Sequence, residues 1–245
     1  METRKIEISF YKYVSMGNDF IVIEKPSLSK EMVIKMCKEK WGIHSDGILL
    51  LYQTKKRITL RIMNADGTEA KMCGNGLKVV AAHLSKKDPY HTMWKVYIHR
   101  QPYIVRKEED GESVEVPFPV LLKEERGEAL YDVKNLHRLK EHQEDDGLQK
   151  KIAKKHSEEN ISFYQMKKNG VITLRTYERG VGFTYSCGSA SLAVAAHYFK
   201  MHKRKKKVTI LTQGGQYEIE NHGEFLRLKG EVYCVFIGRY INEVS

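Results

Sequence analysis

The sequence has few cysteines, few prolines and no long apolar run. Its 245 residues include four cysteines, which are too scattered for a disulfide framework. None of them forms a Cys-x-x-Cys pair of the kind that binds zinc. No apolar segment approaches the roughly 18 residues of a membrane span, and the first ten residues lack the apolar core of a signal peptide. We therefore expect a cytoplasmic protein with reduced thiols, no metal site and no membrane partner.

Length and charge narrow the class of protein further. A chain of 245 residues is long enough for one large domain or two small ones with a real core. Its formal net charge of +11 leaves nucleic acid open as a partner. However, the basic run at residues 203–207 follows a predicted helix, whose C-terminal end favours cations, and no aromatic residues are interleaved with it. A nucleic-acid-binding protein is thus the least favoured alternative.

The chain contains an internal repeat. Residues 61–84 align without a gap with residues 175–198, at an offset of 114 residues. The alignment pairs Arg61 with Arg175, Cys73 with Cys187, Gly74 with Gly188, Val80 with Val194, and the Ala-Ala-His run at 81–83 with the same run at 195–197. Solenoid repeats are shorter, about 20 to 50 residues. This period therefore indicates two duplicated lobes.

Each half of the chain predicts strands followed by a helix. Residues 5–24 and 57–64 alternate as half-buried strands do. Leu77, Val80, Ala81 and Leu84 have the spacing of an amphipathic helix, whereas residues 191–199 are apolar on almost all sides and predict a buried helix. We predict an α+β fold with two pseudosymmetric lobes, each a mostly antiparallel sheet wrapped around a central helix. The lobes are predicted at 1–117 and 118–245, and the last strand is allowed to cross back to the first lobe.

Several features receive a structural interpretation. The charged stretch 138–155 predicts a solvated surface helix or loop. His83 and His197 lie inside the predicted helices and are interpreted as packing residues. Cys37 and Cys234 have no glycine beside them and are interpreted as core residues.

Cys73 and Cys187 each stand directly before a predicted helix. A helix N-terminus offers unpaired N–H groups and about half a positive charge, so it lowers a thiol pKa below about 8.5 and binds anions. Inversion of a carbon centre requires one group to remove a proton from one face and a similar group to return a proton to the other. Two thiols that face each other across a pseudo-twofold axis form such a pair, while the N–H groups stabilise a substrate carboxylate. A pyridoxal enzyme is disfavoured, because no glycine-rich phosphate loop with a paired lysine is present.

Six motifs carry a resemblance to a known family. They are Met16-Gly17-Asn18-Asp19-Phe20, Gly42-Ile43-His44-Ser45-Asp46-Gly47, Asn64-Ala65-Asp66-Gly67, Cys73-Gly74-Asn75-Gly76, Glu178-Arg179-Gly180 and Cys187-Gly188-Ser189. In this order, and across almost the whole chain, they resemble the motifs of the diaminopimelate epimerases. Those enzymes interconvert LL- and meso-diaminopimelate without a cofactor, on the lysine and peptidoglycan pathway.

The resemblance implies a role for each matched residue. Cys73 and Cys187 would be the catalytic base and acid. The implied substrate-binding side chains are Asn18, Asn64, Asn135, Asn160, Glu178 and Arg179. The implied carboxylate-binding N–H groups are those of Gly74, Asn75, Gly188 and Ser189. The resemblance further implies a small amino-acid substrate, no cofactor and a homodimer.

The chain departs from the family pattern at a few positions. A usual Gly-Asn-Pro-His segment stands here as Lys134-Asn135-Leu136-His137, while Ser15 and Ala190 replace glycines and Gln213 replaces a proline. The middle of the chain is also short. These departures concern substrate choice more than proton transfer, so the alternative function is epimerisation or racemisation of another amino acid by the same two cysteines.

Overall fold

The computed structural model describes residues 4–141, 146–156, 158–167 and 170–244. The described residues form 18 strands and four helices. They belong to two compact units, Met1–Glu112 with Glu231–Ser245 and Ser113–Gly230. The lobe boundary at residues 117 and 118 stays a prediction.

Strands and helices are numbered in chain order. The strands are β1 (Arg4–Ser15), β2 (Asn18–Ile23), β3 (Gly47–Gln53), β4 (Ile58–Asn64), β5 (Glu69–Ala70), β6 (Met93–Ile98), β7 (Gln101–Glu108), β8 (Gly111–Pro117), β9 (Val120–Glu125), β10 (Glu128–Asp132), β11 (Leu136–Glu141), β12 (Asn160–Met166), β13 (Val171–Glu178), β14 (Gly182–Thr184), β15 (Lys207–Thr212), β16 (Gly215–Asn221), β17 (Phe225–Gly230) and β18 (Tyr233–Val244). The helices are α1 (Lys30–Cys37), α2 (Gly74–Lys87), α3 (Asp146–Lys154) and α4 (Gly188–Met201).

The first unit is a twisted mixed sheet around α2. β18 and β2 flank β1 in antiparallel pairs, and β2 then pairs in parallel with β3 across the α1 connection. β3 and β4 are antiparallel, β4 and β6 are parallel across α2, and β6 and β7 are antiparallel. α2 contacts β1, β2 and β7, so strands near both ends of this sheet pack on the same helix.

The second unit repeats this order of connections around α4. β10 and β11 are antiparallel, and β11 pairs in parallel with β12 across α3. β12 and β13 are antiparallel, β13 and β15 are parallel across α4, and β15 and β16 are antiparallel. α4 contacts strands β10, β11, β12, β15, β16 and β17. The internal repeat in the sequence is therefore a repeat of topology, and the predicted α+β fold with sheets around central helices is confirmed.

Both central helices are buried on nearly all sides. In α4 every residue from Ala190 to Phe199 is buried, as its apolar sequence predicts. In α2 the prediction of an amphipathic helix is wrong over the first two turns. The residues from Gly74 to Ala81 are all buried, and they include Asn75 and Lys78, which the amphipathic pattern places on the polar side. Two polar residues, Asn75 and Lys78, are thus buried near the start of α2.

The charged stretch 138–155 contains the predicted helix, α3, but its first residues belong to strand β11. Arg138 and Leu139 lie in β11, and Leu139 is buried. The Arg138 guanidinium donates to both carboxylate oxygens of Glu159, at 2.6 and 2.9 Å. α3 follows at Asp146, and residues 142–145 lie outside the described part of the chain. In the described ranges, no helix is long and apolar enough to cross a membrane.

Candidate active site

Cys73 is the N-cap residue of α2. Its backbone is extended (φ −146°, ψ 112°), its carbonyl accepts the first helical hydrogen bond from Leu77, and its sulfur accepts from the Gly76 N–H at 3.4 Å. The thiol is partly exposed. An N-cap sulfur that accepts an N–H lies in the positive field of the helix terminus, which favours the thiolate.

Cys187 occupies the same position in α4. Its backbone angles, φ −139° and ψ 111°, are nearly those of Cys73, and its carbonyl accepts from the Ser191 N–H. Its sulfur lies 3.3 Å from the Ser189 hydroxyl oxygen. The duplicated sequence therefore gives each unit a cysteine at the N-cap of its central helix, as predicted.

A chain of hydrogen bonds fixes the polar side chains beside Cys73. The amide of Asn75 is buried and donates to the Asn18 side-chain oxygen at 2.7 Å, and the Asn18 amide donates to Asp46 at 3.2 Å. Asp46 also accepts from the Asp19 N–H at 2.9 Å. The motifs at 16–20, 42–47 and 73–76 therefore meet in one network, which holds the predicted residue Asn18 against the start of α2.

Asn64 ends β4 in a tight turn. The Gly67 N–H donates to the Asn64 carbonyl at 2.9 Å, and Gly67 adopts φ +77°, which glycine tolerates without strain. The Asn64 amide donates to the Thr68 hydroxyl at 2.9 Å, and that hydroxyl donates to Asp66 at 2.6 Å. Asn64 therefore stands exposed at the strand end, where Asn, Asp and Gly form the turn.

His137 connects to Cys187 through Ser189. The Nε2 atom of His137 lies 2.9 Å from the Ser189 hydroxyl oxygen, which lies 3.3 Å from the Cys187 sulfur. His137 is fully buried, and burial lowers its pKa to about 3, so the ring is neutral at physiological pH. Sequence analysis placed His137 only inside a motif. Its role beside a thiol follows from the packing of β11 on α4.

Asn160 and the Glu178–Arg179 pair meet where β12 begins and β13 ends. The Asn160 side chain accepts from the Arg179 N–H at 2.9 Å and donates to the Leu136 carbonyl at 3.2 Å. Glu178 accepts from the Thr184 hydroxyl at 2.6 Å. The Arg179 side chain is exposed and lies 3.4 Å from Glu158. Asn160 therefore positions the backbone of Arg179 next to the segment that holds Asn135.

Asn135 lies in a tight turn before β11. The Asn135 carbonyl accepts from the Val133 N–H at 3.0 Å, and Asn135 itself is exposed. Lys134 adopts φ +71°, in the left-handed region that favours glycine. The family-like glycine is thus replaced at a position where a side chain is disfavoured by about 1 kcal/mol.

Lys78 is a polar residue of this region that sequence analysis did not select. It lies on α2, five residues after Cys73, and is 0% exposed. Burial lowers its pKa to about 7, and the charges of Glu112, Cys73 and Glu231 oppose that shift. Glu112 is itself buried and accepts from the Lys107 ammonium at 2.7 Å. The internal repeat could have identified Lys78 as unusual, because the equivalent position in the second half is the apolar residue Leu192.

The other two cysteines and the two histidines of the central helices lie outside the proposed site. Cys37 is buried in the core, as predicted. The prediction of a core position for Cys234 is wrong, because it is only half-buried on β18, between the exposed residues Tyr233 and Val235. His83 and His197 are both buried beside a tyrosine hydroxyl, at 3.1 and 3.5 Å, which confirms their interpretation as packing residues. Within the described ranges, no cluster of three or more His, Cys, Asp or Glu side chains is arranged to hold a metal ion.

Solved structures with the same fold include epimerases. A protein described as a predicted epimerase from Pseudomonas aeruginosa superposes with a TM-score of 0.74 at 12% identity and covers 97% of this chain and 100% of that one. A hydroxyproline epimerase from Agrobacterium vitis gives a TM-score of 0.72 at 11% identity, over 99% and 93% of the two chains. A phenazine biosynthesis protein of the PhzF family from Enterococcus faecalis gives 0.73 at 13% identity, over 96% and 99%. The fold is therefore one that epimerases use.

Sequence comparison defines the family. The family model for diaminopimelate epimerase matches residues 10–99 and 141–235. The chain therefore belongs to the diaminopimelate epimerase family, and it is an isomerase. A diaminopimelate epimerase of Microcystis aeruginosa is 26% identical over 281 residues, which cover 96% of this chain and 99% of that protein. The corresponding protein of Trichodesmium erythraeum is 27% identical over 253 residues, covering 86% and 91%.

Proposed function

We propose that this protein interconverts LL- and meso-diaminopimelate by a two-thiol, cofactor-free transfer of the α-proton. The observation that carries the proposal is the cysteine at the N-cap of each buried central helix, with nearly identical backbone angles at Cys73 and Cys187. Membership of the diaminopimelate epimerase family supports the choice of substrate.

The proposed reaction conserves protons on the enzyme. One cysteine, as thiolate, takes the α-proton, and the C–H electron pair remains on the α-carbon as a carbanion. The other cysteine, as thiol, gives its proton to the opposite face. The first sulfur ends as a thiol and the second as a thiolate, so the two roles are exchanged in the reverse direction. No net proton is gained or lost.

The N–H groups at the two helix termini are proposed to stabilise the carbanion. Those of Gly74 and Asn75 lie at the start of α2, and those of Gly188 and Ser189 at the start of α4. Hydrogen bonds to the substrate carboxylate become stronger as negative charge spreads onto it from the α-carbon, and such oriented donors contribute about 3 to 4 kcal/mol each in other enzymes. Asn18, Asn64, Asn135, Asn160, Glu178 and Arg179 are the proposed contacts of the rest of the substrate.

Isotope exchange tests the proposed substrate. We expect the protein, incubated in heavy water, to place deuterium on the α-carbon of diaminopimelate, because the returning proton comes from a thiol that exchanges with solvent. A panel of other amino acids, including proline and hydroxyproline, is treated in parallel, and mass spectrometry measures the label. Labelling of diaminopimelate above all others is the expected result.

The same panel examines the alternative function. The strained turn at Lys134 lies beside Asn135, one of the proposed substrate contacts. If another amino acid gains label and diaminopimelate does not, the protein is a racemase or epimerase of that amino acid. Absence of label in every amino acid contradicts both functions.

Mild oxidation tests whether both sulfurs act at one carbon. We expect hydrogen peroxide to oxidise one of the two thiolates to a sulfenic acid, from which the second thiol displaces water to form a Cys73–Cys187 disulfide. Peptide mapping before and after reduction measures the cross-link, with Cys37 and Cys234 as internal references. Oxidised but unlinked Cys73 and Cys187 would contradict their convergence.

The other proposed properties concern partners. A homodimer and a cytoplasmic location remain proposals, as does the absence of nucleic acid among the partners. The exposed apolar side chains of Tyr233, Val235 and Ile237 on β18 support self-association.

A further inference from the structure

We propose that Lys78 is a positioning residue that acts through Cys73, by holding that thiol as a thiolate in the resting enzyme while Cys187 remains a thiol. The proposal rests on the two-thiol function and adds a starting state to it. The two-thiol reaction requires one of the two cysteines to be a thiolate and the other a thiol. Their backbone settings are nearly the same, so a difference between their surroundings determines which of them is deprotonated in the resting enzyme.

Lys78 is a fully buried lysine on the helix that begins at the first thiol. Lys78 follows Cys73 by five residues on α2, and its side chain is fully buried. Helical side chains lean toward the N-terminus of their helix, which is the end that carries Cys73. The charges of Lys78 and Cys73 act on one another. A nearby ammonium favours the thiolate form of a cysteine.

Acidic groups around Lys78 partly oppose the loss of its proton on burial. The titratable groups that act on it are Cys73 at the start of α2, Glu112 on β8 and Glu231 just before β18. Glu112 already receives the Lys107 ammonium at 2.7 Å. Burial lowers the Lys78 pKa to about 7, so the ammonium is present below neutral pH and is lost as the pH rises above it.

The second thiol has no equivalent cation at this helical position. Leu192 replaces Lys78 in the repeat and is fully buried. The groups next to Cys187 include the Ser189 hydroxyl and, through it, the neutral ring of His137. A neutral hydrogen-bonding neighbour favours a thiolate less than a buried ammonium does. The backbone at Cys73 and Cys187 is therefore nearly the same, but the position five residues later is a lysine in one unit and a leucine in the other.

Alkylation of Cys73 against pH tests the proposal without turnover. Iodoacetamide reacts with the thiolate, so the pH midpoint of its rate reports the protonation of the thiol. We expect Lys78→Met to raise the midpoint by about one pH unit, which is about a tenfold slower reaction at a pH below both midpoints. Lys78→Arg is expected to keep the midpoint at or below that of the unmodified protein, because guanidinium stays charged.

Lys87→Met is the matched control. Lys87 is an exposed lysine at the far end of the same helix, about 20 Å from Cys73 along the axis, and its removal is expected to leave the midpoint unchanged. An unchanged midpoint in Lys78→Met, or a midpoint in Lys78→Arg as high as in Lys78→Met, would overturn the proposal.

A second measurement does not use the Lys78→Met variant, so the proposal can still be tested if that variant does not fold. The thiolate absorbance of the unmodified protein at pH 7, minus that of Cys73→Ser, is expected to be positive, and a zero difference would overturn the proposal. Deuterium exchange is measured on the same preparations. Loss of exchange with every amino acid, together with a low alkylation midpoint, refutes the proposed function alone.

Discussion

Replacement of Cys73 or Cys187 by alanine is expected to abolish inversion of the substrate. Each single variant removes either the base or the acid of one direction, and a positioned proton-transfer group contributes about 10² to 10⁴ in rate. We expect the rate of LL to meso conversion to fall by about 10³-fold or more in both variants, measured by chiral separation of the products.

Each single variant is also expected to retain a diagnostic partial activity. The remaining thiol can remove and return a proton on its own face, so in heavy water one stereoisomer exchanges its α-proton without inversion. The two variants should label opposite configurations at this centre. Cys37→Ala and Cys234→Ala are the matched controls, since neither cysteine stands at a helix start, and they should invert at the normal rate. Full inversion by Cys73→Ala or Cys187→Ala would disprove the two-thiol reaction.

Acid is expected to destabilise the protein strongly through His137. In the unfolded chain this histidine gains a proton below its ordinary pKa of about 6.5, whereas burial holds its folded pKa at about 3. Between these values the unfolded state binds one more proton than the folded state. The free energy of unfolding therefore falls as the pH is lowered, by about 1.4 kcal/mol per pH unit from this residue.

Urea unfolding at a series of pH values measures this contribution. His137→Gln keeps a hydrogen-bonding side chain near Ser189 but does not titrate, so its free energy of unfolding should fall less steeply between pH 6.5 and 3. His91→Gln is the control, because His91 is exposed in a surface pair with Asp88 and should leave the slope unchanged. An equal slope in His137→Gln and the unmodified protein would show that His137 does not carry the acid sensitivity.

The sequence predicts the architecture well because the two signals involved are local. Alternating residues identify the strands, and the apolar run at 191–199 identifies a helix with no solvent face. The repeat around Cys73 and Cys187 then predicts two similar lobes, and the structure has the same order of parallel and antiparallel pairs in both units.

The surroundings of the thiols are less predictable, because they depend on contacts between distant segments. Helical periodicity places Lys78 away from the apolar residues of α2, and only the enclosing sheet buries it. His137 is 52 residues from Ser189, and no spacing rule indicates that β11 would bring them to 2.9 Å. The left-handed backbone at Lys134 is not indicated by the lysine itself, and only the glycine of the family pattern at this position points to it.

The first unit is formed by two segments that are far apart in the sequence, and this has a consequence for its synthesis. β1 pairs along its length with β18, yet residues 113–230, which lie between them, form a separate unit. On the ribosome the second unit is complete before the last strand emerges, so β1 spends most of translation with one open edge. An open strand edge is a template for association with other chains. The nascent polypeptide therefore exposes the β1 edge to other chains until β18 has been synthesised and pairs with it.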